Sequence, residues 1–167
     1  MSLTAKMTMD VNATLTKQLD QGVGSFPASL SKFHQMADGV GDNQSDLLFA
    51  ETRTLAANTS EDLDLSGSLL DAFGTTLNFV KIKAVLVSAS NANVGNIEVG
   101  GAAANGFIDW VGAFADNIII KPNGSFMVMN PTNGYDVAAG TADKLKINNT
   151  ATGATGDYSI ALIGTSA

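Results

Sequence analysis

The stretch "LTAKMTMDVNATLT", residues 3–16, alternates between apolar and polar side chains without a break. The apolar positions are Leu3, Ala5, Met7, Met9, Val11, Ala13 and Leu15. A two-residue period is typical of a β-strand with one dry face and one wet face. Such a strand would be roughly 46 Å long, whereas strands in compact domains usually have only about 3–10 residues. The pattern predicts an extended N-terminal strand or arm, residues 1–17, whose dry face needs a partner.

The remaining residues, 18–167, are predicted to form a single β-sandwich domain. Short apolar runs recur about every 8–12 residues with turn residues between them, a pattern typical of antiparallel sandwiches and jelly rolls. The clearest runs are Leu47–Ala57, Glu61–Leu65, Thr76–Ser90, Lys144–Asn148 and Tyr158–Leu162. We therefore expect an all-β fold, an antiparallel β-sandwich of the jelly-roll type.

Three segments carry more specific expectations. Residues 18–46 mix Gly, Ser, Asp and Asn, which predicts loops with one or two short strands around Leu30–Met36. At most one short helix is expected, and Ser66–Gly74 is the best candidate for it, since Ser66 or Ser68 suits an N-cap and Gly74 suits a C′ position. Pro122-Asn123-Gly124 predicts the turn of a hairpin that joins residues 117–121 to 125–129.

Composition and charge exclude several classes of protein. The chain of 167 residues has no cysteine, a formal net charge of −7 and only nine lysines and arginines, which form no cluster. Nucleic-acid binding and binding to an anionic membrane both require clustered cations, so neither is expected. No signal peptide or apolar run of membrane-spanning length is evident, so we expect synthesis in a cytoplasm without export.

The sequence presents no catalytic, cofactor-binding or metal motif. His34 is the only histidine, and no nucleophile motif accompanies it, so we expect no enzyme activity and no cofactor. Asp38, Asp42 and Asp46 lie close together, but their spacing differs from that of an EF-hand loop. A solvated turn is the preferred interpretation, and a bound cation stays open as the alternative.

An aromatic cluster lies in the segment "GFIDWVGAF", residues 106–114. Phe107, Trp110 and Phe114 either close the core or form a surface that binds a sugar or a protein partner. Together with the dry face of the arm they give the candidate interaction residues, which are Leu3, Met7, Met9, Val11, Leu15, Phe107, Trp110 and Phe114.

Residues 52–90, "TRTLAANTSEDLDLSGSLLDAFGTTLNFVKIKAVLVSAS", resemble a recurring stretch of tailed-bacteriophage virion structural proteins. The segments "NIEVGGAAANGF" (residues 96–107) and "YSIALIGTSA" (residues 158–167) continue the resemblance, as does the opening "LTAKMTMDV". Residues 18–45 match least. The resemblance implies a virion component without assigning catalytic residues.

Among virion components, capsid decoration, or cement, on the head shell is the preferred interpretation, because an amphipathic arm suits binding to a neighbouring subunit. The expected partners are further copies of the chain, in a trimer or alternatively a dimer, and the major capsid protein or other virion proteins. The virion is the expected location. A tail, neck or fibre component is the first alternative, a carbohydrate-binding module that uses Trp110 is the second, and a hydrolase ranks last.

Overall fold

The structure is a computed structural model that describes residues 2–167; Met1, the first residue of the expected arm, lies outside the described residues. All regular secondary structure in this range is β-strand, so the all-β expectation is confirmed. The strands are β1 (Ala5–Leu19), β2 (Gly22–Asp38), β3 (Gln44–Ser45), β4 (Leu47–Leu55), β5 (Ser60–Asp64), β6 (Ser66–Leu70), β7 (Thr76–Asn78), β8 (Lys81–Ala89), β9 (Ile97–Gly100), β10 (Asn117–Ile120), β11 (Ser125–Met129), β12 (Tyr135–Asp136), β13 (Lys144–Asn149) and β14 (Gly156–Thr165).

Eight of these strands form an antiparallel β-sandwich with jelly-roll topology. One sheet has the order β4-β14-β8-β11 and the other has the order β5-β13-β9-β10. The chain crosses between the sheets from β4 to β5, from β8 to β9, from β10 to β11 and from β13 to β14. This pattern of crossings is that of two interlocked Greek keys, as the sequence predicted.

The core lies between the two sheets. Alternate residues of each strand point inward, and the largest of the fully buried side chains include Phe49, Phe79, Phe107 and Tyr158. In β13, for example, Leu145 is buried while its neighbours on either side are half-buried lysines. The two-residue period that predicted the strands therefore also identifies their inward faces.

The turn at Pro122-Asn123-Gly124 is confirmed, but the hairpin expected around it is wrong. Asn123 has a φ of 64°, a left-handed conformation that asparagine tolerates. However, β10 pairs with β9 and β11 pairs with β8, so the turn carries the chain from one sheet to the other. The sequence of a turn determines the local reversal of the chain, whereas the pairing of the flanking strands depends on distant segments.

The helix expected at Ser66–Gly74 is also wrong. The segment forms β6, which pairs with β7, followed by a tight turn. In this turn the carboxylate of Asp71 accepts hydrogen bonds from the backbone N–H groups of Phe73 and Thr75, both at 2.8 Å. Asp71 thus satisfies the backbone locally with its side chain, which competes with helix formation.

The loops expected over residues 18–46 are wrong as well, because most of this segment is the long strand β2. It pairs with β1 over fifteen consecutive residue pairs, from Ala5↔Met36 to Leu19↔Gly22. The result is a two-stranded hairpin, which we call the hairpin arm (residues 5–38). The expected boundary after residue 17 therefore falls inside the hairpin arm, two residues before its turn.

Several features of β2 concealed the strand. The strand contains Pro27, which lacks the N–H of a ladder residue, and two glycines, Gly22 and Gly24. In a two-stranded ribbon both strands are edge strands, where proline is tolerated.

The described residues include no helix of the length and hydrophobicity that a membrane span would need.

Candidate interaction site

The hairpin arm has one apolar and one polar face, because residues directly opposite each other in an antiparallel pair point to the same side. Val11 lies opposite Leu30, Ala13 opposite Ala28 and Leu15 opposite Phe26. We call this side the apolar arm face; its members are Met9, Val11, Ala13, Leu15, Phe26, Ala28 and Leu30. The other side is mostly hydroxyl and amide groups, with Thr16 opposite Ser25 and Asn12 opposite Ser29.

The apolar arm face is not covered by the rest of the chain. From Thr8 to Leu19 every residue is exposed, and so is every residue from Gly22 to Phe33 except the partly buried Gly24. Leu15 is 73% exposed and Phe26 is 66% exposed. Burying such side chains stabilises a protein by about 1.5–3 kcal/mol each, so an exposed row of them indicates an interaction surface.

The root of the hairpin arm is anchored on the sandwich. Ala5, Met7 and Met36 are buried, and they form a second hydrophobic cluster with Ala84 of β8. The partly buried Met127, Met129 and Ile163 pack against this cluster. The apolar face of the arm is thus buried against the sandwich at its root and becomes exposed at Met9, which is 40% exposed.

The surface that receives the root is the outer side of the sheet β4-β14-β8-β11. The strand registers align two apolar rows across this sheet, and we call them the outer sheet face. Its members are Leu48, Ala50, Ala84, Leu86, Met127, Met129, Ala161 and Ile163. The root covers one row in part, whereas Leu48 and Leu86 in the remaining area are 40% and 39% exposed.

A groove of about 300 Å³ adjoins the outer sheet face at the edge strand β4. The groove is lined by Leu3, by Leu48 and Ala50 of β4, and by Phe73 of the turn that follows β6. Phe73 is 79% exposed although it is a large apolar residue. The groove is large enough to take a leucine or phenylalanine side chain from another molecule.

The opposite sheet presents a different outer surface. Asp62 and Asp64 of β5 lie across from Lys146 and Lys144 of β13, and Asp64 forms an ion pair with Lys144. The hydrogen bond from Lys144 holds the pKa of Asp64 below its usual value, and the same bond raises the pKa of Lys144. This sheet therefore carries the charged, solvated surface that is typical of an uncovered sandwich face.

The aromatic cluster expected around Trp110 is largely a packing unit. Phe107 is 2% exposed and belongs to the core. The Trp110 ring stacks on Phe107 with centroids 6.4 Å apart and contacts Phe126 at 5.6 Å, while its indole N–H donates to the Phe107 carbonyl. Phe114 remains 53% exposed in the loop. This arrangement favours core closure over the stacking of a sugar on Trp110.

Two of the three acidic residues considered for a cation instead interact with the backbone. Asp38 accepts a hydrogen bond from the backbone N–H of Leu3, and Asp46 accepts one from the N–H of Ser166. Asp42 is exposed. No cluster of three or more metal-ligating side chains of the His, Cys, Asp and Glu types occurs within residues 2–167.

A polar cluster at the rim of the sandwich joins Glu61 to Arg53 and Tyr158. Arg53 donates to the Glu61 carboxylate at 2.7 Å, and the phenol O–H of Tyr158 donates to it at 2.6 Å. Burial raises the pKa of Tyr158, and the neighbouring carboxylate raises this pKa further. Because each group is hydrogen-bonded to another member of the cluster, the arrangement serves to fix β4 against β5.

The structure thus separates the candidate residues into three groups. Met9, Val11 and Leu15 are exposed on the apolar arm face, and Phe114 is exposed in a loop. Leu3 lies in the groove. Met7 and Phe107 are buried within the chain, so their side chains are not accessible to a partner, and Trp110 is packed beside Phe107. Phe26 and Leu30 were not among the predicted interaction residues, although "FPASL" at residues 26–30 has the same two-residue period as β1.

Comparison of the chain with protein-family models, curated proteins and solved structures gave no match.

Proposed function

We propose that the chain is a virion structural protein of a tailed bacteriophage, and specifically a decoration or cement protein of the head shell. The proposal starts from the resemblance of residues 52–90 and 96–107 to phage virion proteins. The jelly-roll body is compatible with it, since viral capsid proteins are among the proteins that use this architecture. Because the same architecture also serves unrelated functions, the fold alone does not carry the proposal.

The observation that carries the proposal is the hairpin arm with its uncovered apolar face. A monomer that works alone would gain nothing from a ribbon that exposes Leu15, Phe26 and Leu30 to water. In an assembly the same ribbon buries these side chains between subunits. Noncovalent contacts of this kind suit a chain without cysteine, which cannot form disulfide crosslinks.

The first experiment locates the chain in the particle. Purified virions of a phage that encodes the chain are imaged by electron cryomicroscopy, and the copy number is measured by quantitative mass spectrometry. Decoration of the shell requires density on the capsid surface and a copy number in the hundreds. A few copies at the neck or along the tail would favour the tail, neck or fibre alternative, and absence from virions would refute the proposal.

The second experiment measures binding to shells that lack the chain. Purified wild-type protein is expected to cosediment with such shells in a saturable manner. The variant L15D/F26D, which charges the apolar arm face, is expected to bind at least about tenfold more weakly, because oligomeric contacts add avidity. The matched control T16D/S25D adds the same charges one pair further along the ribbon, on the polar face, and is expected to bind like wild type. Equal binding by all three proteins would contradict a role of the arm in assembly.

A further inference from the structure

We propose that the apolar arm face of one copy binds the outer sheet face of a second copy of this chain, so that neighbouring copies exchange arms. The inference builds on the proposed function, since it names the surfaces through which copies contact one another. Its test needs no virus particle, and therefore the two proposals can fail separately. The proposed occupant of the outer sheet face is the hairpin arm of another copy.

The outer sheet face is the only apolar outer surface of the sandwich among the described residues. Its two rows are continued along the same strands by serines and threonines, and the outward charges lie at the ends of the sheet. Asp157 is at one end, and the ion pair of Lys81 with Asp136 is at the other. The other sheet instead carries Asp62, Asp64, Lys144 and Lys146 on its outside. Apolar rows without charge, beside a sheet with charges across its middle, indicate that the apolar rows are covered in the assembled state.

The outer sheet face continues from the area that already binds the root of the arm in the same chain. Met7 and Met36 already pack against Ala84, Met129 and Ile163, so this sheet is a surface to which the arm sequence binds within one chain. The apolar arm face continues the same row of side chains beyond the root. A second arm would extend this packing over Leu86, Ala161 and Ala50, and the groove beside β4 would take one of its large side chains.

Charge favours this pairing over contact between two arms. The charged residues on the apolar arm face are Lys17 and Lys32. On the outer side of the sheet, Lys81 is neutralised by its ion pair with Asp136, which leaves the negative charge of Asp157. The arm as a whole is neutral, with three lysines and three aspartates, so residues 39–167 carry the net charge of −7. Two arms packed face to face would bring lysines of the two copies close together. A parallel pair would place like lysines at the same level, and an antiparallel pair centred on Ala13 would place Lys17 at the level of Lys32. Like charges at an interface oppose association.

The size of the surface indicates that each copy both gives and receives an arm. Residues 9–19 with their partners in β2 form a ribbon of roughly 37 Å by 10 Å, or about 370 Å² of contact on each side. One such contact would bury roughly 740 Å² in total, below the ~1,600 Å² of a standard interface, whereas two reach about 1,500 Å². We therefore expect a closed oligomer in which every arm is bound. In a two-fold dimer both contacts lie in one interface, and in a three-fold ring each copy takes part in two separate contacts.

The oligomeric state of the purified chain tests the inference directly. Sedimentation equilibrium is expected to give a dimer or trimer for wild type and for the control T16D/S25D. L15D/F26D on the arm and L86D on the outer sheet face are each expected to give monomers. The control for L86D is I119D, because Ile119 is an exposed apolar residue on β10 of the other sheet and its replacement should leave the oligomer intact. A monomeric wild type, or an oligomer that survives L86D, would overturn the inference.

Crosslinking identifies the surfaces that meet, and the absence of native cysteine makes the result unambiguous. One chain carries A13C on the apolar arm face and another carries A161C on the outer sheet face. A short bismaleimide is expected to link the two chains in a mixture, whereas T14C, on the polar arm face, is expected to link to A161C at least tenfold less. Efficient linking of A13C chains to one another, without linking to A161C, would overturn arm exchange in favour of arm-to-arm pairing.

The outcomes of the sedimentation and crosslinking experiments are independent of shell binding. If the wild-type chain is monomeric but binds shells through its arm, arm exchange is refuted and the decoration proposal survives. If the chain forms the predicted oligomer but is absent from virions, the decoration proposal fails and arm exchange stands. Circular dichroism and thermal unfolding of each variant verify that the sandwich is folded in every comparison.

Discussion

Leu15 and Phe26 face each other directly across the two strands of the hairpin arm, and both side chains are mostly exposed. Large apolar side chains that meet across strands normally belong to a buried sheet face. Here the pair lies on a ribbon that extends beyond the sandwich. Its side chains therefore contribute little to the stability of the isolated chain, and we propose that they act in recognition.

The first prediction concerns this pair. L15T/F26S is expected to change the free energy of unfolding by no more than about 0.5 kcal/mol, since exposed positions contribute little to stability. The same variant is expected to bind less of a hydrophobic fluorescent dye than wild type does. Urea unfolding and dye titration check the two statements. The comparison is made in the L86D background, which is expected to disrupt the proposed arm exchange. A loss of several kcal/mol there would mean that the pair is buried within one chain.

The second prediction separates the projecting arm from its root. Replacing residues 10–31 with an Asn-Gly turn, so that Met9 and Lys32 are rejoined as a short hairpin, is expected to leave the sandwich folded and cooperative. Deleting residues 1–16 instead removes Ala5 and Met7 from their cluster and exposes Met36 and Ala84. That deletion is expected to lower the melting temperature, whereas the loop replacement is not. Equal melting temperatures for both variants would show that the root contributes nothing to the fold.

The third prediction compares two methionines on the same face of β1. Met7 is 4% exposed and Met9 is 40% exposed. M7A is expected to lower the free energy of unfolding by about 2–3 kcal/mol, because truncation of a buried methionine also leaves a cavity. M9A is expected to cost less than about 1 kcal/mol, because Met9 is only partly buried. Chemical denaturation in matched buffers gives both values, and a larger effect for M9A would contradict the position of the arm root.

The fourth prediction concerns stability at alkaline pH. Burial raises the pKa of both tyrosines, Tyr135 and Tyr158, so the folded protein holds phenol protons that the unfolded chain releases near pH 10. The resulting stabilisation is fully present below about pH 10 and is lost as the pH rises through the folded-state values. Denaturant unfolding is therefore expected to become easier above the usual pKa of a phenol.

The variant Y158F provides the control for this effect. It removes the hydrogen bond from the phenol to Glu61, which still accepts from Arg53, so we expect a cost of about 1–2 kcal/mol at neutral pH. Its stability should also fall less steeply than that of wild type as the pH rises above the usual phenol value. Near-ultraviolet absorbance of the folded wild-type protein should show ionisation of tyrosine only above that value. Normal titration of both phenols would contradict the buried position of Tyr158.

The fifth prediction concerns a buried lysine in β8. Lys83 lies in a β-bulge, because Ile163 of β14 pairs with Ala84 and the next residue, Gly164, pairs with Ile82. Lys83 is only 1% exposed. Its ammonium donates to the carbonyl of Thr132, and burial lowers its pKa. K83M removes a buried charge, so it is expected to raise the free energy of unfolding by about 1 kcal/mol or more at neutral pH. A strongly destabilised K83M would show that the hydrogen bond outweighs the cost of burial.

The sequence by itself determined the class of fold and the identity of the inward faces. Two-residue alternation predicted the strands of the sandwich, and in β13 it correctly distinguished buried leucine and isoleucine from outward lysines. The same alternation identified the apolar side of β1. These features were accessible because the period of a strand is a local property of the backbone, which sends successive side chains to opposite faces.

Only the tertiary structure decided which strands are partners. The sequence left β1 without a neighbour, whereas the structure pairs it with β2 and makes both strands one ribbon. It likewise left β10 and β11 as a hairpin, whereas the structure assigns them to opposite sheets. Pairing depends on hydrogen bonds between segments far apart in the chain and on the burial of both sheet faces, and local periodicity contains neither. For the same reason the outer sheet face became visible only when four separate strands had been placed side by side.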